Sequence, residues 1–147
     1  MFRSMAAERG FSLAEFGALA EGDPSFDLEL DGRLATRARE GDVVLESRLA
    51  GWIATNEDLD ALRVWIDCDD RERDRRVAGR EGADVGTAAV ENRRREASEA
   101  ARYLSYYGID LADRSIYDLV LDSTDTPPAA LVGAVVQRIP RSAAGNG

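Results

Sequence analysis

Helical and strand-like patterns of apolar residues alternate along this chain and divide it into short elements. Residues 1–9 place Met1, Phe2, Met5 and Ala6 on one side of a helix, with Arg3, Glu8 and Arg9 towards another. Gly10 stops that segment. Ser12 and Glu15 then form the ends of a capping box, the serine reaching the amide of Glu15 and the glutamate reaching back, which predicts a short helix to about residue 20. Glu21-Gly22-Asp23-Pro24 reads as a turn with Asp23 or Ser25 as N-cap. Phe26, Leu30, Leu34 and Ala38 recur at helical spacing from there to about Arg39. Asp27 and Asp31 share a face of this helix, and the plain reading of such a pair is a solvated acidic stripe.

After Gly41 the period shortens. Val43-Val44-Leu45 is an apolar run closing on an acid, Glu46, with Arg48 and the small pair Ala50-Gly51 just beyond and Trp52 after them. Residues 64–67, Val-Trp-Ile-Asp, repeat the form of a short strand ending in an acid. Two such strands joined by a crossover predict parallel pairing. Ligands of open α/β sheets sit outside the carboxyl ends of the strands, which makes Glu46 and Arg48 candidates; a core strand followed by a polar loop explains them equally well. Asp67 reads as a loop cap.

Residues 69–80 predict a helix carrying Arg71, Arg73, Arg75, Arg76 and Arg80, most of them explained by ion pairs to Asp69, Asp70, Glu72 and Asp74. Residues 84–107 predict a long helix on which Arg95, Glu99 and Arg102 fall on one face. That trio is either an ion-pair ladder, worth only about 0.3–0.5 kcal/mol per pair, or a site. Gly108-Ile109-Asp110 breaks the helix, residues 117–121 predict a third strand, and Pro127-Pro128 open a last amphipathic helix over residues 129–139. The domain is expected to span residues 1–139, with residues 140–147 a flexible small-residue tail.

Composition narrows the chemistry. The 147 residues carry 28 acidic and 19 basic side chains, a net charge of −9, and every basic residue is arginine. Such a surface disfavours nucleic-acid and membrane partners and suits either a high-salt cytoplasm or a GC-rich genome. The sequence has no histidine and a single cysteine, Cys68, which removes imidazole acid-base chemistry, His-metal sites and intramolecular disulfides. Carboxylate, guanidinium, hydroxyl and bound metal remain, the equipment of phosphoryl transfer. No segment reads as a membrane span or a signal peptide, and a cytoplasmic location is expected.

Taken together, MFRSMAAERGFSLAEF, DPSFDLELD, VVLESRLAGW, REASEAARY, YYGID and SIYDLVLDST resemble, in that order, the archaeal type of cytidylate kinase, a P-loop nucleoside monophosphate kinase. The resemblance implies an α/β fold, a P-loop NTPase-type parallel sheet with helices on both faces, and transfer of the γ-phosphate of ATP to CMP or dCMP. It implies Mg²⁺ as cofactor and small-molecule nucleotides as partners; a monomer is expected of the full-length protein. Arg3 and Arg48 would hold the acceptor phosphate. Asp27 and Asp31 would bind the acceptor or shape the lid over it, and Glu99 and Arg102 would read the cytosine and its phosphate. Arg95 would neutralise the transferring phosphoryl group, Arg76 and Arg80 would close over ATP, and Glu46 would orient the metal, directly or through water.

One departure stands out: with no lysine, the Gly-x-x-x-x-Gly-Lys-Ser/Thr loop cannot occur in these residues. In this family that loop precedes the segment resembling residues 1–9. The expectation is therefore a chain lacking its first strands and P-loop, on the order of 30 or more residues, with Met1 an internal methionine of a longer frame. Such a chain is expected to be marginally folded and inactive alone, its first strand having left an apolar slot. A non-catalytic remnant that binds a nucleotide or a partner, and a kinase for another nucleoside monophosphate, are the alternatives.

Overall fold

The computed structural model describes residues 2–139, without the side chains of residues 2, 3, 13 and 14. Met1 and the expected tail at 140–147 lie outside the described residues. Two compact units emerge from the backbone contacts, one of Met1–Ala61 with Arg95–Asp113 and one of Leu62–Arg94 with Arg114–Gly147.

The first unit is helical. Helix α1 covers Phe2–Glu8 and α2 covers Leu13–Gly22. Both halves of the capping box form: the Glu15 amide donates to Ser12 Oγ at 3.3 Å, and the Ser12 amide donates to Glu15 Oε2 at 2.9 Å. Helix α3 runs Ser25–Arg39 with Pro24 in the cap position, while Asp23 Oδ1 accepts the Ser25 amide at 2.9 Å. The spacing of apolar residues explains the packing, since Met5, Ala6 and Phe16 are buried and Phe26 and Leu30 of α3 lie against them. Phe16 meets Phe26 edge to face at 5.1 Å, and the Arg9 guanidinium lies over both rings, an arrangement that adds quadrupole attraction to area burial.

Two expectations fail after α3. Gly41 (φ 74°) and Asp42 (φ 45°) turn the chain through consecutive left-handed residues, a conformation that costs an ordinary L residue about 1 kcal/mol. Residues 43–46 then run on without joining a ladder, and Val44 is 96% exposed. The expected strand is not formed, because a strand is defined by the neighbour that takes its backbone hydrogen bonds and no described residue does so here. Instead of a polar loop, Ala50–Asn56 forms helix α4, with Leu49, Gly51 and Ala54 buried and Thr55 Oγ1 donating to the Gly51 carbonyl at 2.9 Å.

The second unit holds the sheet. Strand β1, Val64–Asp67, pairs in parallel with β2, Leu119–Asp122, in the register Val64↔Leu119 to Asp67↔Asp122. The expected parallel pairing is therefore present, with a different partner. Between the strands lie α5, Asp70–Glu81, and α6, Val85–Tyr107. Asp69 Oδ1 caps α5 by accepting the Arg71 amide at 2.9 Å, and Gly82 at φ 65° closes it. Asp74 and Asn92 are both buried and joined, Asn92 Nδ2 donating to Asp74 Oδ1 at 2.7 Å. Helix α6 leaves this unit at Arg94 and continues in the first. Helix α7, Pro128–Arg138, half-buries Leu131, Ala134 and Val135 along one stripe.

The strands are tied at both ends. At the start, the Arg63 guanidinium grips Asp118, with Nη2 to Oδ1 at 2.8 Å and Nε to Oδ2 at 3.0 Å, and the Arg63 amide donates to Oδ2 at 2.8 Å. These hydrogen bonds, led by the Arg63 side chain, hold the Asp118 carboxyl at about 2 against an ordinary 3.8. The unfolded chain therefore takes up this proton first on acidification. The contribution of Asp118 is fully present above its ordinary pKa and is lost as pH falls from there through about 2. Thermal unfolding followed between pH 2 and 6, both set as roughly the ends of that linkage window, should show a shallower acid decline in Asp118→Asn than in the parent; an unchanged slope would remove this pair from the account.

Candidate functional site

The charged residues singled out in the sequence fall into two groups, one in each unit. In the first unit, Asp27 and Asp31 of α3 face the C-terminal half of α6. Asp27 is only 2% exposed and is not part of a solvated stripe. Its Oδ2 accepts from Arg102 Nε at 2.9 Å, and Arg102 Nη1 donates to Ser98 Oγ at 3.1 Å. Ser98 Oγ in turn donates to Glu21 Oε1 at 3.1 Å. Asp31, half-buried four residues on, takes the Tyr107 hydroxyl at 2.6 Å on Oδ2. The i, i+4 spacing of the carboxylates on α3 thus meets Arg102 and Tyr107 on one face of α6.

Arg48 follows the extended segment and sends Nη1 to within 2.6 Å of Glu99 Oε2. The contact pairs the charges without hydrogen-bond geometry, so Oε2 is buried with no hydrogen bond among the described residues. Burial pushes the Glu99 carboxyl above its ordinary value, and the charges of Arg48, Arg95 and Arg102 work against that rise. Arg95 is exposed one turn before Glu99. Burial likewise raises Asp31, partly offset by the Tyr107 hydrogen bond and helped by the charge of Asp27. Tyr103 and Tyr107 are raised as well, chiefly by burial, so both phenols stay protonated and keep a hydrogen to donate.

Beside this strip lies a cavity of about 300 Å³ between α3, α4 and the end of α6. Leu28, Leu49, Ile53 and Ile109 supply apolar wall, with Asp31, Tyr107 and Trp52 among the polar-tipped residues. Trp52 Nε1 is a buried donor with no hydrogen-bond partner among the described residues. None of Ser98, Tyr103, Tyr107 and Trp52 was singled out as a site residue from the sequence. The repeat Glu99, Tyr103, Tyr107 at four-residue spacing is the signal that could have found two of them.

In the second unit, Arg76 is engaged with backbone. Its Nη2 donates to the Ser123 carbonyl at 2.7 Å and to the Thr124 carbonyl at 3.0 Å, and Nε to Glu72 Oε1 at 2.8 Å. Ser123 is buried and closes the strand ends, its amide and hydroxyl both donating to the Asp67 carbonyl at 2.8 Å. Arg80 is exposed and pairs with neighbouring Glu81 at 3.3 Å. Glu46 is exposed in the extended segment of the first unit, with no partner among the described residues, and Arg3 lies on α1 with its side chain outside them. No helix among the described residues is long and apolar enough to cross a membrane.

A family model of the cytidylate kinase-like family matches residues 1–125. The cytidylate kinase of Pyrococcus abyssi is 45% identical over 135 residues, which cover 92% of this chain and 73% of that protein. The cytidylate kinase of Haloquadratum walsbyi is 45% identical over 151 residues, covering 99% of this chain and 78% of the relative. That of Methanopyrus kandleri is 47% identical over 131 residues, with 84% and 68% covered. No solved structure matches the chain. Parallel strands, helices rich in arginine and these relatives place the chain in the α/β class of phosphotransferases. The chain belongs to the cytidylate kinase-like family.

Proposed function

We propose that this chain carries the acceptor half of a kinase that moves the γ-phosphate of ATP to CMP or dCMP. The observation that carries the reading is the ion pair of Arg48 with Glu99 at 2.6 Å, with Arg95 one turn before Glu99 and Arg102 one turn after it on the same helix and Asp27 fixing Arg102 from the other side. Phosphoryl transfer asks a protein for position and charge neutralisation, and arginines held by buried carboxylates supply both without reorganising. Arg48 and Arg102 would take the acceptor phosphate, joined by Arg3, and Arg95 would meet charge developing on the transferred group. In the other unit Arg80, exposed and held only by its neighbour Glu81, would reach ATP; Arg76 would act one step back, by holding the loop after β2.

Mg²⁺ fits Glu46 in one respect: the carboxylate is exposed and unpartnered among the described residues, and this ion is commonly held by one or two carboxylates with substrate phosphates and water completing the shell. When bound, the ion would shield the phosphate charge of ATP. The same 147 residues contain no lysine to sit against the ATP phosphates, so the polypeptide alone is expected to bind CMP and not to phosphorylate it. Calorimetric titration with CMP, and chromatography for CDP after incubation with CMP, ATP and Mg²⁺, test the two halves of the reading. Absence of CMP binding would overturn the first, and CDP formed by this polypeptide would overturn the second.

A further inference from the structure

The cavity between α3, α4 and the end of α6 has features that the arginine cluster does not explain. Its volume of about 300 Å³ is at the small end of ligand pockets and suits one flat ring with a sugar. Apolar side chains make the larger part of its wall; of its polar groups, Arg39 and Glu57 are paired to each other, and Asp31, Tyr107 and Asn56 complete the lining. Asp31 offers an acceptor, since the Tyr107 hydroxyl occupies Oδ2 at 2.6 Å and Oδ1 has no hydrogen bond among the described residues. Trp52 also lines the cavity, with its indole Nε1 buried.

We propose that this cavity seats the pyrimidine base and that Asp31 tells cytosine from uracil, by accepting the exocyclic amine on Oδ1. The proposal rests on the acceptor-site reading above and moves base recognition away from Glu99. The surroundings of the two carboxylates decide between them. Glu99 is paired with Arg48 at 2.6 Å and lies between Arg95 and Arg102 on its helix, a field made for a phosphate; Asp31 lines a cavity in which Leu28, Leu49, Ile53 and Ile109 offer a face to a ring. Glu99 and Tyr107 are about 12 Å apart along α6, at roughly 1.5 Å of rise per residue, a spacing on the scale of a mononucleotide from phosphate to base. Cytosine presents an N–H donor where uracil presents a carbonyl oxygen, and an ionised carboxylate can only accept. Uracil would therefore set two acceptors against each other.

The test uses the 147-residue chain, titrated calorimetrically with CMP and UMP. The parent should prefer CMP. Asp31→Asn, which can both donate and accept, should lose about 10–100-fold in CMP affinity, the worth of one hydrogen bond to a charged group, and bind the two nucleotides nearly alike. Glu99→Gln should weaken both nucleotides together and keep the preference. A second readout needs no change at Asp31: CMP should alter tryptophan fluorescence in Trp65→Phe and leave Trp52→Phe unaffected. A preference that survives in Asp31→Asn, a preference erased by Glu99→Gln, or a fluorescence response kept by Trp52→Phe would each overturn the inference while leaving the acceptor-site reading intact. A parent chain that does not bind CMP would overturn that reading and this inference with it.

Discussion

Arg102→Met is expected to destabilise this chain by about 3–5 kcal/mol, because it strips the cation from a carboxylate that has almost no contact with water. Asp27 is 2% exposed, and Arg102 Nε at 2.9 Å is the charge that answers it. A small domain has only about 5–15 kcal/mol in hand, so the variant should unfold at much lower urea. The double variant Asp27→Asn with Arg102→Met should recover most of that loss, since replacing both charges leaves no uncompensated ion. Urea midpoints of the parent, the single and the double variant check this. A double variant no better than the single one would mean that Arg102 acts through Ser98 and the packing of its stem, and not through charge.

The second large effect is on binding. Arg48→Ala should reduce CMP affinity by about 10–100-fold, the worth of a charge-assisted bond to phosphate, while cytidine, which has no phosphate, should bind nearly as it does to the parent. Arg48 is half-exposed and reaches the half-buried Glu99, so the rest of its guanidinium is open to a ligand. Glu99 retains Arg95 and Arg102 as neighbours in the variant, which limits the damage to the fold. Calorimetric titration with the nucleoside and the nucleotide separates the outcomes. Equal loss for both would place Arg48 at the base or in the scaffold.

Local chemistry made much of the architecture legible. The capping box at Ser12 and Glu15, the apolar spacing of Phe26, Leu30 and Leu34, and the strand at Val64–Asp67 all follow from rules that act over a few residues. What failed was information carried by a partner. Val43-Val44-Leu45 has the composition of a buried strand, and only a neighbouring ladder could make it one. Helix α4 spans seven residues and is too short for periodicity to announce it. In the site, helical spacing put Asp27 and Asp31 on one face and Glu99 and Arg102 on another. It could not show that Asp27 turns inward to Arg102. Nor could it show that Arg48 meets Glu99 from across the sequence, or that Arg76 gives its guanidinium to the carbonyls of Ser123 and Thr124. Those contacts depend on where whole elements pack.

The parallel pair also sets an order of events. Arg63 and Asp118, at the start of β1 and β2, are 55 residues apart in the chain. Closing so long a loop costs about 2 kcal/mol more chain entropy than closing a four-residue hairpin turn, by the logarithmic dependence on length. Helices α5 and α6 lie inside that loop and need only near neighbours to form. Folding slows as the mean sequence separation of the contacts grows, so the strand pair, with the Ser123 and Arg76 clasp at its far end, is expected to close after α5 and α6 have formed.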